Sequence, residues 1–347
     1  MDKMKAFKFY AAHEPLRLEE VPIPKLKEDE VLVKVRASGV CGSDLNYRRG
    51  KAKPYKTPII LGHEISGTVE EMGEKVEGLE VGERVLVHYI ISCGRCAQCM
   101  RGNDNRCRRR ISIGAHVDGG FAEYVAIPAR NAFKLPSNLT FEEGAIIGCA
   151  VSTPFHALLS GGFKAGDSVA VFGLGGIGIH AVMWARTLGA GLIIGVDVVD
   201  FKLELAKELG ADVTVNPKVD DPVEVIRDLT DGWGVDLALE CAGVPETVNY
   251  TLNSIRGKSR YETGKAILIA LQPGPVKVEW IREGLVTMPG DHTMDDLRRI
   301  LTLAERGRID LTKTITHRLP FLELNRALDI LEGQTENVVK VVVTQQR

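Results

Sequence analysis

The sequence predicts an α/β protein with two domains, and three features of its 347 residues support that prediction. The chain is longer than a single hydrophobic core usually supports. Residues 1–150 contain short strand patterns separated by glycine and proline, which is typical of a β-rich domain. Residues 151–290 alternate apolar strands with helical patterns, which is typical of a doubly wound parallel sheet. Residues 291–347 return to a mixed pattern, and we expect them to rejoin the first domain.

The β-rich part and the tail each contain recognisable elements. Val31–Ala37 has strand character, and Glu80–Val87 has the pattern of a turn that leads into a strand. In the tail, helical patterns lie near Met294–Arg306 and Phe321–Leu331, and a strand is predicted at Val338–Val343.

The alternating region has a regular order of strands and helices. Helices are predicted at Ile177–Leu188 and Phe201–Leu209, and the second ends before Gly210, since glycine commonly follows the last helical turn. The predicted strands are Ser168–Phe172, Leu192–Asp197, Val213–Asn216, Val235–Glu240 and Ala266–Leu271.

Charge and composition argue against several classes of protein. The 44 basic and 46 acidic residues give a net charge of −2, which provides no electrostatic reason to bind nucleic acid or an anionic membrane. No apolar run reaches the ~18 residues of a membrane span. Seven cysteines without a secretory signal indicate thiols and metal ligands rather than disulfides. We therefore expect a cytoplasmic protein with neither a nucleic-acid nor a membrane partner.

Four cysteines follow the spacing C-x2-C-x2-C-x7-C, namely Cys93, Cys96, Cys99 and Cys107. Four thiolates can complete the tetrahedral shell of one zinc ion, which is the arrangement of a structural site. The segment is too short and polar to build its own core, so metal binding would organise it. An iron–sulfur cluster, free thiols or redox-active pairs are alternatives, but the even use of all four thiols favours zinc. A zinc ribbon that binds nucleic acid is not favoured, because the net charge of the chain is −2.

A glycine-rich motif follows the apolar strand that ends at Phe172 and opens the next helix. In that context glycines permit a tight turn and the close approach of a pyrophosphate to a helix N-terminus. Asp197 lies nineteen residues after the motif, where a carboxylate accepts hydrogen bonds from ribose hydroxyls and repels a 2′-phosphate, so NAD is favoured over NADP. Lys202 is expected to border the adenosine ribose. The motif residues are Gly173, Gly175, Gly176, Ile177 and Gly178.

A second set of metal-binding residues is spread along the first domain. Cys41, His63 and Cys149 offer two thiolates and an imidazole, which would leave a fourth position for water or substrate, the arrangement of a catalytic zinc. A lone buried cysteine is more often a small apolar filler, and Cys241 at the end of a predicted strand is interpreted in that way.

Together these segments resemble the zinc-dependent medium-chain alcohol dehydrogenase family over essentially the whole chain. The resemblance implies a GroES-like β-barrel catalytic domain, a Rossmann domain, two zinc ions per chain and a homodimer or homotetramer. The matching segments are 41–44, 62–64, the four-cysteine segment, 119–124, 148–153, the glycine motif and Asp197.

The resemblance also implies roles for individual residues. Cys41, His63 and Cys149 match the catalytic zinc ligands, and Glu64 matches a carboxylate that stays near the metal and sometimes coordinates it. Near the metal, Asp44 would orient the ligand histidine and Ser43 would pass on the substrate proton. On the cofactor, Thr153 would flank the nicotinamide and Lys340 would contact the pyrophosphate. Tyr89 would line the substrate pocket.

The implied activity is reversible hydride transfer between an alcohol and NAD+, with a primary, secondary, cyclic or polyol substrate. Asn46 departs from the family pattern, because many members have a histidine there as the last base of a proton relay. Two alternatives are an NADPH-preferring carbonyl reductase of the same fold and a non-catalytic ligand-binding member.

Overall fold

The computed structural model describes residues 2–257, 264–270, 286–333 and 337–345. It divides into two compact units, of which the first joins Met1–Cys149 to Thr293–Arg347 and the second is Ala150–His292. The sequence-based divisions lay after residues 150 and 290.

The described residues contain eighteen strands in chain order. They are β1 Lys3–Phe9, β2 Arg17–Pro22, β3 Glu30–Val40, β4 Ile59–Ile60, β5 Glu64–Met72, β6 Arg84–Val87, β7 Ile90–Ile91, β8 Ile111–Ser112, β9 Tyr124–Pro128, β10 Ala132–Lys134, β11 Ser168–Phe172, β12 Leu192–Val196, β13 Val213–Val215, β14 Leu237–Glu240, β15 Lys265–Leu268, β16 Val286–Thr287, β17 His317–Pro320 and β18 Val341–Thr344.

Ten α-helices lie in the same described part of the chain. They are α1 Gly42–Arg48, α2 Ala97–Met100, α3 Phe141–Ile146, α4 Ser152–Gly161, α5 Gly176–Leu188, α6 Asp200–Glu208, α7 Pro222–Leu229, α8 Pro245–Ser254, α9 Met294–Glu305 and α10 Leu324–Gly333. Short 3-10 helices occur at Asp104–Arg106, Ala129–Asn131 and Phe321–Glu323, and a π-helix at Ile147–Val151.

In the first unit, the largest sheet has seven strands in the order β10-β6-β5-β3-β18-β17, with β9 also paired to β3. The long strand β3 pairs antiparallel with β5, β9 and β18, and its buried valines contribute to the core of the unit. Strand β18 comes from the C-terminal part of the chain, so the tail completes the sheet that the first domain begins. The resemblance implies that this sheet belongs to a GroES-like domain.

In the second unit, six parallel strands form one sheet in the order β13-β12-β11-β14-β15-β16. Numbered within the unit, this is the 3-2-1-4-5-6 order of a doubly wound dinucleotide-binding fold. The central strands are continuous apolar runs because helices cover both faces of a parallel sheet. The predicted α/β fold class is confirmed.

Most predicted elements exist, with small shifts at their ends. The predicted strand Ser168–Phe172 is β11, with both ends correct. The strand predicted at Val235–Glu240 is β14, which begins at Leu237 instead. The predicted strand Ala266–Leu271 corresponds to β15, and Leu271 lies outside the described residues. The predicted helix Phe321–Leu331 begins instead as the 3-10 turn Phe321–Glu323 and continues as α10.

Among the described residues, one continuous helical segment, Phe141–Gly161, is long and apolar enough to cross a membrane by length and composition. Its most apolar window has a mean hydropathy of 1.3, and 83% of that window is buried inside the protein. Such extensive burial is typical of a helical segment in the core of a folded protein. The π-helix Ile147–Val151 lies in the middle of the segment and contains Cys149.

Candidate metal centre and active site

The four cysteines of the segment Cys93–Cys107, called the cysteine lobe below, converge on one point. Their sulfur atoms all lie within 4.8 Å of one another. Cys96 Sγ is 3.5 Å from Cys99 Sγ and 3.9 Å from Cys107 Sγ. A tetrahedral zinc with Zn–S bonds of about 2.3 Å requires S–S separations of about 3.8 Å. The four thiols therefore fit one zinc ion.

Backbone amides surround these sulfur atoms and stabilise thiolates. The N–H groups of Cys93 and Arg109 donate to Cys107 Sγ at 3.2 and 3.3 Å. Donation from the backbone of Cys99 and of Arg108 lowers the pKa of Cys96 to about 6. Burial, followed by hydrogen bonds from neighbouring thiols, raises the pKa of Cys99 to about 11. Binding of a dication would displace the protons that remain on these thiols, because the metal binds thiolates.

The cysteine lobe is attached to the rest of its unit through Asp104, which lies in the lobe's 3-10 turn. Asp104 Oδ2 is 3.3 Å from Nε2 of the fully buried His88, and Asp104 Oδ1 accepts the N–H of Met294 at 3.2 Å. Met294 is the first residue of α9, so this carboxylate joins the lobe to a helix N-terminus.

The second predicted set also converges, and one ligand atom from each residue lies within 4.8 Å of the others. Cys41 caps α1 directly after β3, His63 immediately precedes β5, and Cys149 comes from the π-helix. The fourth member is Glu64, the first residue of β5. Two thiolates and an imidazole fit a zinc ion that keeps one position open.

The side chains of this second set shift one another's pKa values. A hydrogen bond from Cys149 and the positive charge of His63 hold the pKa of Cys41 well below its usual range against the effect of burial. Burial alone would lower the pKa of His63, but the Cys41 thiolate and then Asp44 and Glu64 raise it to about 9. A zinc ion would take the place of that proton, since only a neutral imidazole binds metal.

Glu64 is held by a buried ion pair. Lys340 Nζ donates to Glu64 Oε1 at 2.6 Å and to the carbonyl oxygen of Val40 at 2.9 Å. The Lys340 and Glu64 side chains are 3% and 0% exposed. Burial raises the pKa of Glu64 to about 8, although the Lys340 ammonium opposes that shift. The expected contact of Lys340 with a pyrophosphate stays a prediction, and the partner that the structure shows is Glu64.

Ser43 and Asp44 lie in the first turn of α1, beside Cys41. Asp44 Oδ2 accepts the N–H of Cys41 at 2.9 Å, while Asp44 Oδ1 is 4.0 Å from His63 Nδ1, which is longer than a hydrogen bond. Burial raises the pKa of Asp44 to about 6. Ser43 Oγ is buried and has no hydrogen-bond partner among the described residues. A hydroxyl in that state is available to a ligand.

In the second unit, the glycine motif forms the turn between β11 and α5. Gly173 has φ +90°, and a Cβ there would lie 2.7 Å from the Cβ of Ala242, so only glycine fits. A Cβ on Gly178 would meet the Gly173 carbonyl oxygen at 1.8 Å, whereas one on Gly175, the N-cap of α5, would meet nothing within 4 Å. The space at Gly175 suits the close approach of a pyrophosphate.

Asp197 follows β12 and supports the glycine turn from the side. Its Oδ2 accepts the N–H of Leu174 at 2.7 Å, and its Oδ1 accepts the N–H of Val199 at 3.0 Å. Two further residues of this unit were expected to contact the cofactor, and both are buried. Thr153 lies in the first turn of α4 and Lys202 in α6. Their contacts with a cofactor stay predictions.

Two features of the site were not predicted. Gly39 in β3 is the register partner of Glu64, and a Cβ there would lie 2.0 Å from Glu64 Oε2. A glycine inside a strand pattern is a signal for such a close approach. The pairing of Lys340 with Glu64 had no sequence signal. Cys241 belongs to neither of the two clusters of sulfur ligands found among the described residues.

Residues 27–137 match the family model of the alcohol dehydrogenase GroES-like domain, and residues 176–282 match that of the zinc-binding dehydrogenases. The chain belongs to the zinc-dependent medium-chain dehydrogenase family. This medium-chain dehydrogenase is 37% identical to an alcohol dehydrogenase from Geobacillus stearothermophilus, with 98% of this chain and 100% of that protein aligned. It is 35% identical to an L-threonine 3-dehydrogenase from Bacillus velezensis, over 93% and 94% of the two chains.

Solved structures agree with this family. A zinc-binding dehydrogenase of provisional assignment from Sinorhizobium meliloti 1021, bound to NADP, has a TM-score of 0.88 and 34% identity, covering 99% of this chain and 100% of that one. The alcohol dehydrogenase from Thermus sp. ATN1 has a TM-score of 0.87 and 30% identity, with the same coverage. The medium-chain dehydrogenase is thus a zinc-binding oxidoreductase.

Proposed function

We propose that this dehydrogenase oxidises alcohols to aldehydes or ketones, reversibly, with NAD+ as hydride acceptor. One zinc ion would bind to Cys41, His63 and Cys149, and a second to the cysteine lobe. The observation that carries the proposal is the convergence of the first three residues, with Glu64, within 4.8 Å. Three protein ligands leave a position for a substrate oxygen, which a purely structural site does not.

Bound at these residues, zinc would supply a Lewis acid that favours loss of a proton from an alcohol, and a nicotinamide cofactor would supply the hydride acceptor. The chain itself provides the proton path and the positioning. Ser43 Oγ, buried and unpartnered among the described residues, would accept the hydroxyl proton and pass it on. Asn46 cannot take that proton further as a base, so we propose that water or a ribose hydroxyl carries it to solvent.

The preference for NAD rests on Asp197, because a carboxylate at the end of β12 accepts bonds from ribose hydroxyls and repels a 2′-phosphate. The alternative is an NADPH-dependent carbonyl reductase, and the relative from Sinorhizobium meliloti bound to NADP keeps that alternative relevant. Equal concentrations of NAD+ and NADP+ in the same assay separate the two.

The substrate class is proposed from the ligand set and the relatives. Cys149 as third ligand supports simple and cyclic alcohols, which agrees with the relative named alcohol dehydrogenase. The relatives named L-threonine 3-dehydrogenase make a β-hydroxy amino acid the second candidate. A non-catalytic binding role is the weakest candidate, because Ser43 and all three metal ligands are present.

The test is an absorbance assay at the NADH band with ethanol, 2-butanol, cyclohexanol, a polyol and L-threonine as substrates. Cys149→Ser is expected to abolish activity, and Cys241→Ser is the matched control because Cys241 lies outside both sulfur clusters. Turnover of none of these substrates with either cofactor, in protein that contains two zinc ions, contradicts the proposal.

We also propose that the protein forms a homodimer or homotetramer and works in the cytoplasm. All seven cysteines are free of disulfides, which supports a reducing compartment. Light scattering on the purified protein measures the assembly.

A further inference from the structure

A surface cavity of about 490 Å3 lies in the second unit, at the end of the sheet away from the glycine turn. Ser168 and Leu192, which line it, are the first residues of β11 and β12, whereas the glycine turn follows the last residue of β11. A strand rises about 3.3 Å per residue, so about 13 Å of sheet separates the two ends of β11. Doubly wound sheets bind dinucleotides at the carboxyl ends of their strands. The cavity is therefore separate from the expected cofactor position.

One wall of the cavity is the turn that follows α7. The chain has positive φ at Asp231, Gly232 and Gly234, with values of +50°, +79° and +85°. Thr230 holds the turn, because its carbonyl oxygen accepts the N–H of Trp233 at 2.9 Å and its hydroxyl accepts the N–H of Gly234 at 2.8 Å. A Cβ on Gly234 would lie 2.5 Å from the last carbonyl oxygen of α8. Asp231 and Trp233 are thus carried on a closely packed backbone.

The same turn gives the cavity an exposed apolar surface. Trp233 is 49% exposed, and Leu229, the last residue of α7, is 44% exposed. Both line the cavity together with Leu192. A half-exposed indole ring beside aliphatic side chains offers contact to an apolar group and, through its face, attraction to a cation. The cavity therefore suits a ligand with an apolar body.

The charged side chains that line the cavity are Asp231, Asp236 and Arg256, which have a net charge of −1. Arg256 Nη2 is 3.2 Å from Asp236 Oδ1, and Asp236 Oδ2 accepts the N–H and the hydroxyl of Ser168 at 2.8 and 2.7 Å. Asp236 and Arg256 therefore offset each other. Asp231 is exposed, and its carboxylate makes neither a hydrogen bond nor an ion pair with any residue that the structure describes. The excess negative charge thus lies on Asp231, two residues from Trp233.

We propose that this cavity binds a small organic ammonium ion, whose charge pairs with Asp231 while its apolar body contacts Trp233 and Leu229. A carboxylate beside the face of an indole ring attracts such a cation from two sides. A hard metal ion is not favoured, because it requires several oxygen ligands and the wall here is apolar. An organic anion is not favoured either, because Asp236 offsets the charge of Arg256. The inference goes beyond the proposed function and depends on neither zinc nor a nicotinamide cofactor.

The test is isothermal titration calorimetry of the purified protein with benzyltrimethylammonium, which keeps its charge at every pH and has no hydroxyl group to be oxidised. Saturable binding with a Kd of about 1 mM or tighter is expected. Neutral N-benzylacetamide and anionic phenylacetate are expected to bind more weakly. The absence of saturable binding of the ammonium ion overturns the inference. Tighter binding of phenylacetate also overturns it, because the cavity would then be an anion site.

Two variants locate the binding. Asp231→Asn keeps a residue that tolerates positive φ, and Trp233→Leu removes the ring from an exposed position, so neither change disturbs the core. Each is expected to raise the Kd of benzyltrimethylammonium about fivefold. Asp228→Asn is the matched control, since Asp228 is an exposed carboxylate of α7 that does not line the cavity, and it should keep the wild-type Kd. A wild-type Kd in Asp231→Asn or Trp233→Leu places the ligand elsewhere and overturns the inference.

A second copy of the chain is the other occupant that an exposed indole ring could attract. Light scattering of the wild-type protein and of Trp233→Leu distinguishes the two occupants. An unchanged molar mass together with the raised Kd supports a small ligand. A lower molar mass for Trp233→Leu shows that another copy covers the cavity and overturns the inference.

Discussion

Loss of one thiolate from the cysteine lobe is expected to open the whole lobe. Between Cys93 and Cys107 the buried residues are Asp104, Asn105 and Cys107, so no aliphatic or aromatic side chain contributes a core there. The hydrogen bonds of Asp104 contribute about 1.5–3 kcal/mol each. A structural zinc contributes about 10–16 kcal/mol at neutral pH. Zinc bound there as proposed would therefore dominate the stability of the lobe, and Cys96→Ser should release it.

Trypsin provides a direct assay, because the lobe and the residues after it carry exposed arginines on which cleavage depends on local opening. Wild-type protein is expected to resist cleavage there, whereas Cys96→Ser is expected to be cut after Arg95, Arg101, Arg106, Arg108 or Arg109 and to contain one zinc ion fewer. Mass spectrometry of the fragments and elemental analysis measure both effects.

The matched control is Cys241→Ser, which removes a thiol outside the lobe and should leave cleavage and zinc content unchanged. If Cys96→Ser loses its zinc and the lobe still resists trypsin, packing rather than metal holds the lobe, and the comparison of energies above is wrong.

Four other predictions concern single residues. Asp104→Ala removes the bonds to His88 and to α9 and should cost about 2–4 kcal/mol, measured by thermal unfolding, with zinc content unchanged. Ser43→Ala should lower kcat by about 10²–10⁴-fold while NADH affinity is kept, and near-wild-type turnover removes it from the proton path. Asp197→Asn should raise kcat/KM for NADP+ relative to NAD+, and an unchanged ratio contradicts its role in discrimination. Burial raises the pKa of Cys241 well above its usual range, so at pH 8 its thiol should be alkylated more slowly in the folded than in the unfolded protein.

Local patterns predicted much of this fold because they depend on neighbours in sequence. The four-residue apolar run Val169–Phe172, preceded by Ser168 and followed by glycine, predicted β11 correctly at both ends. The strand predicted from Val338 begins at Val341 instead, since the N–H of Val339 donates to Thr316 Oγ1 at 3.0 Å rather than to a strand. Tertiary contacts of that kind are invisible to periodicity.

The two clusters of possible metal ligands were predictable from local sequence, because cysteine and histidine in such spacings have few other uses. The pair Lys340 and Glu64 was not, since 276 residues separate them and neither segment indicates the other. The π-helix around Cys149 was also unpredicted, because it arises from a local change in hydrogen bonding that leaves the apolar pattern intact. Gly39 lies in β3 beyond the predicted strand Val31–Ala37, so its close approach to Glu64 was not predicted.

The position of β18 in the sheet has a consequence for biosynthesis. A nascent chain that has emerged as far as Cys149 already presents every candidate ligand of both metal clusters. Its sheet still lacks β17 and β18, and the ammonium that pairs with Glu64 is yet to be translated. A ribosome stalled before residue 317 should therefore expose both sets of candidate ligands on a sheet that lacks two of its strands.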